Sequence, residues 1–100
     1  MAINLELLLK VMVQNKASDL HIRGGEQVYL RLNGKITPIK SSHMTNEDVE
    51  KMIFPLMNDR HKGIFNKNRE VDFSIDGKES GRFRVNVFNQ KNKICVAIRH

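Results

Sequence analysis

Three apolar triplets with a period of two dominate the last third of the chain. Val71, Phe73 and Ile75 alternate with Glu70, Asp72 and Ser74. Phe83, Val85 and Val87 alternate with Arg82, Arg84, Asn86 and Phe88. Ile94, Val96 and Ile98 alternate with Cys95, Ala97 and Arg99. Successive side chains on a strand point to opposite faces, so each triplet demands a buried face and a polar face. Asp76-Gly77, the loop through Ser80-Gly81, and the polar stretch Asn89–Asn92 separate them. The segment reads as a three-stranded antiparallel meander.

The first half carries the same period. Leu20 and Ile22 alternate with Asp19, His21 and Arg23 until Gly24-Gly25 breaks the run. Val28, Leu30 and Leu32 alternate with Tyr29 and Arg31. Asn33-Gly34 follows, a strong two-residue hairpin signal because both residues tolerate positive φ. Val28–Leu32 and Lys35–Ile39 therefore pair, with Pro38 marking the end of a strand or an exposed edge.

Helical spacing fills the gaps. Leu5, Leu8, Leu9 and Met12 follow i, i+3, i+4, i+7 after Asn4, a good N-cap. Thr45-Asn46-Glu47-Asp48 reads as a variant capping box. It leads a helix with Val49, Met52, Ile53 and Leu56 on one stripe, and Pro55 should kink or stop it. Asp59 is placed to cap a further short helix to about Lys67, with Ile64 and Phe65 inward. The order α-β-β-β-α-α-β-β-β gives an α+β domain, helices packed on a mostly antiparallel sheet.

At 100 residues the chain fits one domain with one modest core. Its 40% hydrophobic and 28% charged content excludes collagen-like, mucin-like and disordered polyampholyte chains. No apolar run approaches the ~20 residues of a membrane-spanning helix, and the first residues lack the basic region of a secretory signal. One cysteine, Cys95, excludes an internal disulfide and fits a reducing compartment, hence a cytoplasmic location. Seventeen Lys+Arg against 11 Asp+Glu give +6. That surplus fits nucleic acid, anionic lipid or an acidic partner, and equally a solvated basic surface, since the lysines are scattered. The chain ends at His100 straight after a strand, the expectation for an excised domain whose parent continues.

Catalytic constellations are poor. His21, His43, His61 and His100 lack metal-ligand spacing. Cys95, mid-strand among apolar neighbours, reads as an inert sheet residue. Ser18, Asp19 and His21 look like a partial triad, but alternation sets Asp19 and His21 side by side with no nucleophile against the imidazole. Gly77-Lys78-Glu79-Ser80 looks superficially like a phosphate loop. That motif requires a glycine at the place of Asp72 and Ser or Thr at the place of Glu79. Gly81–Phe88 looks vaguely like an RNA-recognition strand, but Phe83 and Phe88 fall on opposite faces. The arginines remain. Arg82 and Arg84 share a face, Arg99 is expected beside them on the next strand, and Arg31 holds a comparable outward place in the hairpin. Guanidiniums on a rigid sheet suit phosphate or carboxylate. The competing reading pairs them within the domain with Glu70, Asp72 and Asp76.

Several segments together match a family. Ala17-Ser18-Asp19-Leu20-His21-Ile22, Leu30-Arg31-Leu32-Asn33-Gly34-Lys35-Ile36, Met57-Asn58-Asp59, Glu70-Val71-Asp72-Phe73-Ser74 and Gly81–Gln90 occur in family order and spacing. From Leu5 to Arg99 the chain resembles the amino-terminal domain of type IV pilus retraction ATPases, the PilT/PilU class of the secretion-ATPase superfamily. The signature segment starts close to the N-terminus, which favours a retraction ATPase over assembly or type II secretion relatives. The resemblance implies a PAS-like domain over residues 1–100, with a RecA-like motor domain after residue 100. That motor would hold ATP, Mg²⁺ and the Walker motifs, so this chain alone would have no catalytic residue, cofactor or metal. It implies a homohexamer in which each amino-terminal domain packs on the neighbouring subunit's motor domain. It also implies that Arg82, Arg84 and Arg99 approach nucleotide, with Arg31 beside them. The inner-membrane pilus platform protein would be an indirect partner, without nucleic acid or membrane insertion. Ser18, Asp19, His21, Asn33 and Gly34 match signature positions and read as structural. Two alternatives stay open: a basic nucleic-acid-binding module and a free-standing PAS-like ligand sensor.

Overall fold

The computed structural model describes residues 4–40, 42–77 and 81–100. Its elements are α1 (Leu5–Gln14), β1 (Asp19–Arg23), β2 (Tyr29–Leu32), β3 (Lys35–Pro38), α2 (Asn46–Ile53), a 3₁₀ turn (Phe54–Leu56), α3 (Asp59–Asn68), β4 (Glu70–Gly77), β5 (Gly81–Gln90) and β6 (Lys93–Arg99). The strands form a six-stranded sheet in the order β3-β2-β1-β6-β5-β4. Every neighbouring pair is antiparallel. The domain is therefore α+β, a hairpin and a meander joined where β1 pairs with β6.

The alternation does the expected work. Leu20, Ile22, Leu30, Phe83, Val85, Val87, Val96 and Ile98 are buried on one sheet face. Leu8, Leu9 and Met12 of α1, Val49 and Ile53 of α2 and Phe65 of α3 join them in one cluster. Each such side chain contributes roughly 1.5–3 kcal/mol of burial. Apart from Cys95, residues on the opposite face of the central strands are half-buried or exposed.

Turn and cap chemistry sets the boundaries. Asn33 at φ 50° and Gly34 at φ 81° close the β2–β3 hairpin. β3 is an edge strand, and Pro38 faces the non-bonded position opposite Tyr29, where its missing N–H costs no ladder bond. Lys91 at φ 51° and Asn92 at φ 65° make an equally tight β5–β6 turn without glycine. The Asn4 side chain accepts the Leu7 N–H at 2.8 Å. Thr45 and Asp48 form a reciprocal capping box.

Two local expectations need correction. The cap of α3 is Asn58, whose Oδ1 accepts the His61 N–H at 2.8 Å, while Asp59 lies in the first turn. An amide oxygen one residue earlier has the reach to the third N–H that Asp59 would lack. Leu56 is 39% exposed rather than inward. Pro55 ends α2 at Ile53, and the following 3₁₀ turn takes Leu56 off the helical stripe.

Candidate functional site

Antiparallel register lines up charged residues across the open face. Arg31 lies opposite Asp19, Asp19 opposite Arg99, Arg99 opposite Arg84, and Arg84 opposite Ser74. One transverse row thus collects three arginines from β2, β6 and β5 around a carboxylate on β1. The Asp19 side chain is only 16% exposed. Its Oδ1 accepts from Arg99 Nε at 3.3 Å. Its Oδ2 accepts from the Ser18 hydroxyl at 2.8 Å and faces Arg31 Nε at 3.9 Å. Burial by itself would raise the Asp19 pKa. The Ser18 and Arg99 hydrogen bonds and the charges of Arg99 and His21 outweigh it and hold the carboxyl below its ordinary range.

Arg84 is different. It is exposed, and among the described residues its side chain has no hydrogen bond or ion pair. With Asp19, Asp72, Asn86, Ala97 and Arg99 it borders a shallow depression of about 290 Å³. Arg82 lies opposite Asp76 at 4.0 Å, both more than three-quarters exposed, so that pair is worth little. The expected pairing of arginines with Glu70 and Asp72 does not form. The Asn86 amide takes both carboxylates, at 3.1 Å to Glu70 and 2.7 Å to Asp72, because Asn86 and not an arginine is opposite Asp72.

The remaining residues are spread out. His21 neighbours Asp19 on the open face. His43 contacts the Gly25 carbonyl, His61 stacks on Phe73, and His100 lies tilted against Phe83. Phe83 is 1% exposed in the core, while Phe88 lies on the other face, so the two aromatics form no stacking platform. Cys95 borders a small hollow with His21, Tyr29 and Phe88. Burial pushes its thiol up, keeping it protonated at neutral pH. Gly77 ends β4, and the rest of the Gly77–Ser80 loop lies outside the described residues.

Sequence reasoning named Asp19 as a structural signature position and Asn46 as part of a cap, and missed what each one binds. Asp19 is the counterion at the centre of the arginine row, a role visible only once β1 and β6 are neighbours. Asn46, read as part of a cap, sends its Oδ1 to accept the Ile94 N–H at 2.7 Å and its Nδ2 toward the Asn92 carbonyl at 3.4 Å. It ties the start of α2 to the turn before β6.

No family model matches the chain. Individual proteins do. The type IV pilus ATPase PilU of Pseudomonas aeruginosa is 32% identical over 94 residues, covering 94% of this chain and 25% of that protein. The retraction ATPase PilT of the same organism is 35% identical over 92 residues, covering 92% and 27%. A crystal structure of the pilus retraction motor PilT with bound ADP superposes with a TM-score of 0.90 at 31% identity, over 98% of this chain and 29% of that one. This chain belongs with the amino-terminal domains of PilT/PilU-type pilus retraction ATPases. It spans about a quarter of the length of these relatives. The Legionella pneumophila ATPase DotB shares the fold, with a TM-score of 0.72 at 17% identity. No helix among the described residues is long and apolar enough to cross a membrane.

Proposed function

We propose that the chain is the non-catalytic amino-terminal domain of a hexameric type IV pilus retraction ATPase. In this reading a motor domain after residue 100 binds ATP and Mg²⁺ and hydrolyses the nucleotide. The present domain packs on the neighbouring subunit's motor domain and presents its arginine row to the nucleotide. The ring works in the cytoplasm and reaches the inner-membrane platform protein only as an assembled machine.

The observation that carries the reading is Arg84, exposed and unpaired among the described residues, beside Arg99 on a rigid open sheet face. Phosphoryl transfer needs positive charge at the γ-phosphate in the transition state. A sheet that moves as one body brings several guanidiniums in when a cleft closes and withdraws them when it opens. Arg82 belongs to the same face, nearer the β4–β5 loop. Arg31 faces Asp19 at 3.9 Å and donates Nη1 to the Gly34 carbonyl at 3.4 Å, which gives it a supporting place.

Mixed rings test this. Arg84→Ala in the longer parent protein should lower ATP turnover, by up to about 10³-fold for a true arginine finger, while the domain stays folded. Combined with subunits inactivated in the motor site, it should regain part of the activity, since some interfaces then hold both intact halves. Mixed rings that form and recover nothing would refute action in trans.

A further inference from the structure

Asp19 gathers three partners into one place, an arginine from each neighbouring strand and a loop residue's hydroxyl. Ser18 and Arg99 are hydrogen-bonded to it, and Arg31 waits at 3.9 Å. Asp19 itself is fixed, with a side chain 16% exposed on a central strand. Arg99 is open to solvent: its side chain is 73% exposed, and Nε supplies its one hydrogen bond to Asp19. Four of its five guanidinium donors remain free for another acceptor. Across the strand pair Arg99 faces Arg84, a like-charge juxtaposition that drives it toward Asp19 when no anion is present.

We infer that Asp19 is a positioning residue that parks Arg99 away from Arg84, and that a phosphate oxyanion in the depression between them draws Arg99 off Asp19 to complete a two-arginine clamp. The exchange gives up the bond at Oδ1 but leaves the carboxylate with a counter-charge, because Ser18 stays bonded to Oδ2 and Arg31 faces that same oxygen at 3.9 Å. Arg84, with no competing partner among the described residues, meets the anion first. The inference rests on the reading that this face meets phosphate. It adds that the clamp is assembled by the ligand and that Asp19 sets its threshold.

The test is a titration of this chain, labelled at arginine Nε, with sodium tripolyphosphate at low salt, followed by NMR. The Arg99 Nε–H resonance is assigned by its change in Asp19→Asn. On titration it should leave its Asp19-bound position and move together with the Arg84 resonance, with one dissociation constant. Asp19→Asn should bind about fivefold more tightly, the equivalent of one exposed Arg–carboxylate pair. Arg84→Ala should bind at least about tenfold more weakly, through loss of a charge-assisted contact.

The inference is overturned if Arg99 keeps its Asp19-bound resonance in the saturated wild-type chain, or if no arginine resonance responds. A simple loss of negative charge would tighten binding in Asp19→Asn yet leave the wild-type Arg99–Asp19 bond in place. The wild-type titration therefore decides, and it stands even if the Asn variant folds poorly, since Ser18→Ala then supplies the assignment. If the titration behaves as expected and Arg84→Ala leaves ring turnover intact, the nucleotide-facing role of this sheet face fails and the role of Asp19 stands.

Discussion

Replacing Gly24 by alanine should cost this domain far more than one methyl suggests. A Cβ at Gly24 would lie 2.3 Å from Asn46 Oδ1, 2.8 Å from Asn46 Cα and 3.0 Å from Asn46 Cβ. Restoring an ordinary 3.4 Å distance to the Asn46 backbone requires a separation of 3.4 − 2.8 = 0.6 Å between two chain segments. Asn46 opens α2, whose Val49 and Ile53 are fully buried, so the helix start cannot shift without disturbing the core. Its Oδ1 also accepts the Ile94 N–H, which would lose its partner. Overpacking of this kind costs about 1–3 kcal/mol, and an unsatisfied N–H about 1–3 kcal/mol. The two overlap, so Gly24→Ala should destabilise by about 2–4 kcal/mol and lower the melting temperature by roughly 10–30 °C. In an Asn46→Ala background the clash with Oδ1 is gone and the clash with the backbone of residue 46 remains, so about 1–3 kcal/mol should persist. Gly63→Ala is the internal control. Its Cβ would meet nothing within 4 Å in the interior of α3. The same substitution there should stabilise by about 0.5–1 kcal/mol. Urea denaturation of all four variants checks the set. A Gly24→Ala variant within about 0.5 kcal/mol of wild type, or a destabilised Gly63→Ala, would refute the packing argument.

Acid stability should depend on Asp19. Its folded-state pKa lies below the ordinary 3.8, so the stability it contributes is complete above that value and is lost as pH falls below it. The gap between wild type and Asp19→Asn, under about 1 kcal/mol given the exposed arginine partners, should therefore close between pH 5 and pH 2 in urea titrations. A gap constant over that range would show that the carboxylate charge does not matter to the fold. At the β2–β3 turn, Gly34 sits at φ 81° with open space around it, so Gly34→Ala should cost roughly 1 kcal/mol through backbone conformation alone. A melting temperature unchanged by that substitution would argue against the hairpin geometry.

Period and punctuation were enough to determine the strands and helices. The apolar triplets of β4, β5 and β6, the Asn33-Gly34 turn and the Thr45 capping box are local signals, each read within a few residues of where it acts. The same alternation already set Arg82 and Arg84 on one face and separated Phe83 from Phe88. Local signals misplaced only what depends on a shift of one residue, such as the α3 cap and the orientation of Leu56 after Pro55. The arrangement of the site came from elsewhere. Nothing in Leu20 or Ile98 states that β1 will lie against β6, because their pairing closes a loop of nearly the whole chain. That pairing puts Asp19 between Arg31 and Arg99, leaves Arg84 without a partner among the described residues, and gives Glu70 and Asp72 to Asn86. Asn46 reaches the Ile94 amide for the same reason, across a separation of 48 residues. Side-chain direction is a property of a strand's own backbone and is written in its period. Which charges meet is a property of register between distant strands, decided only when burial of both apolar faces brings them together.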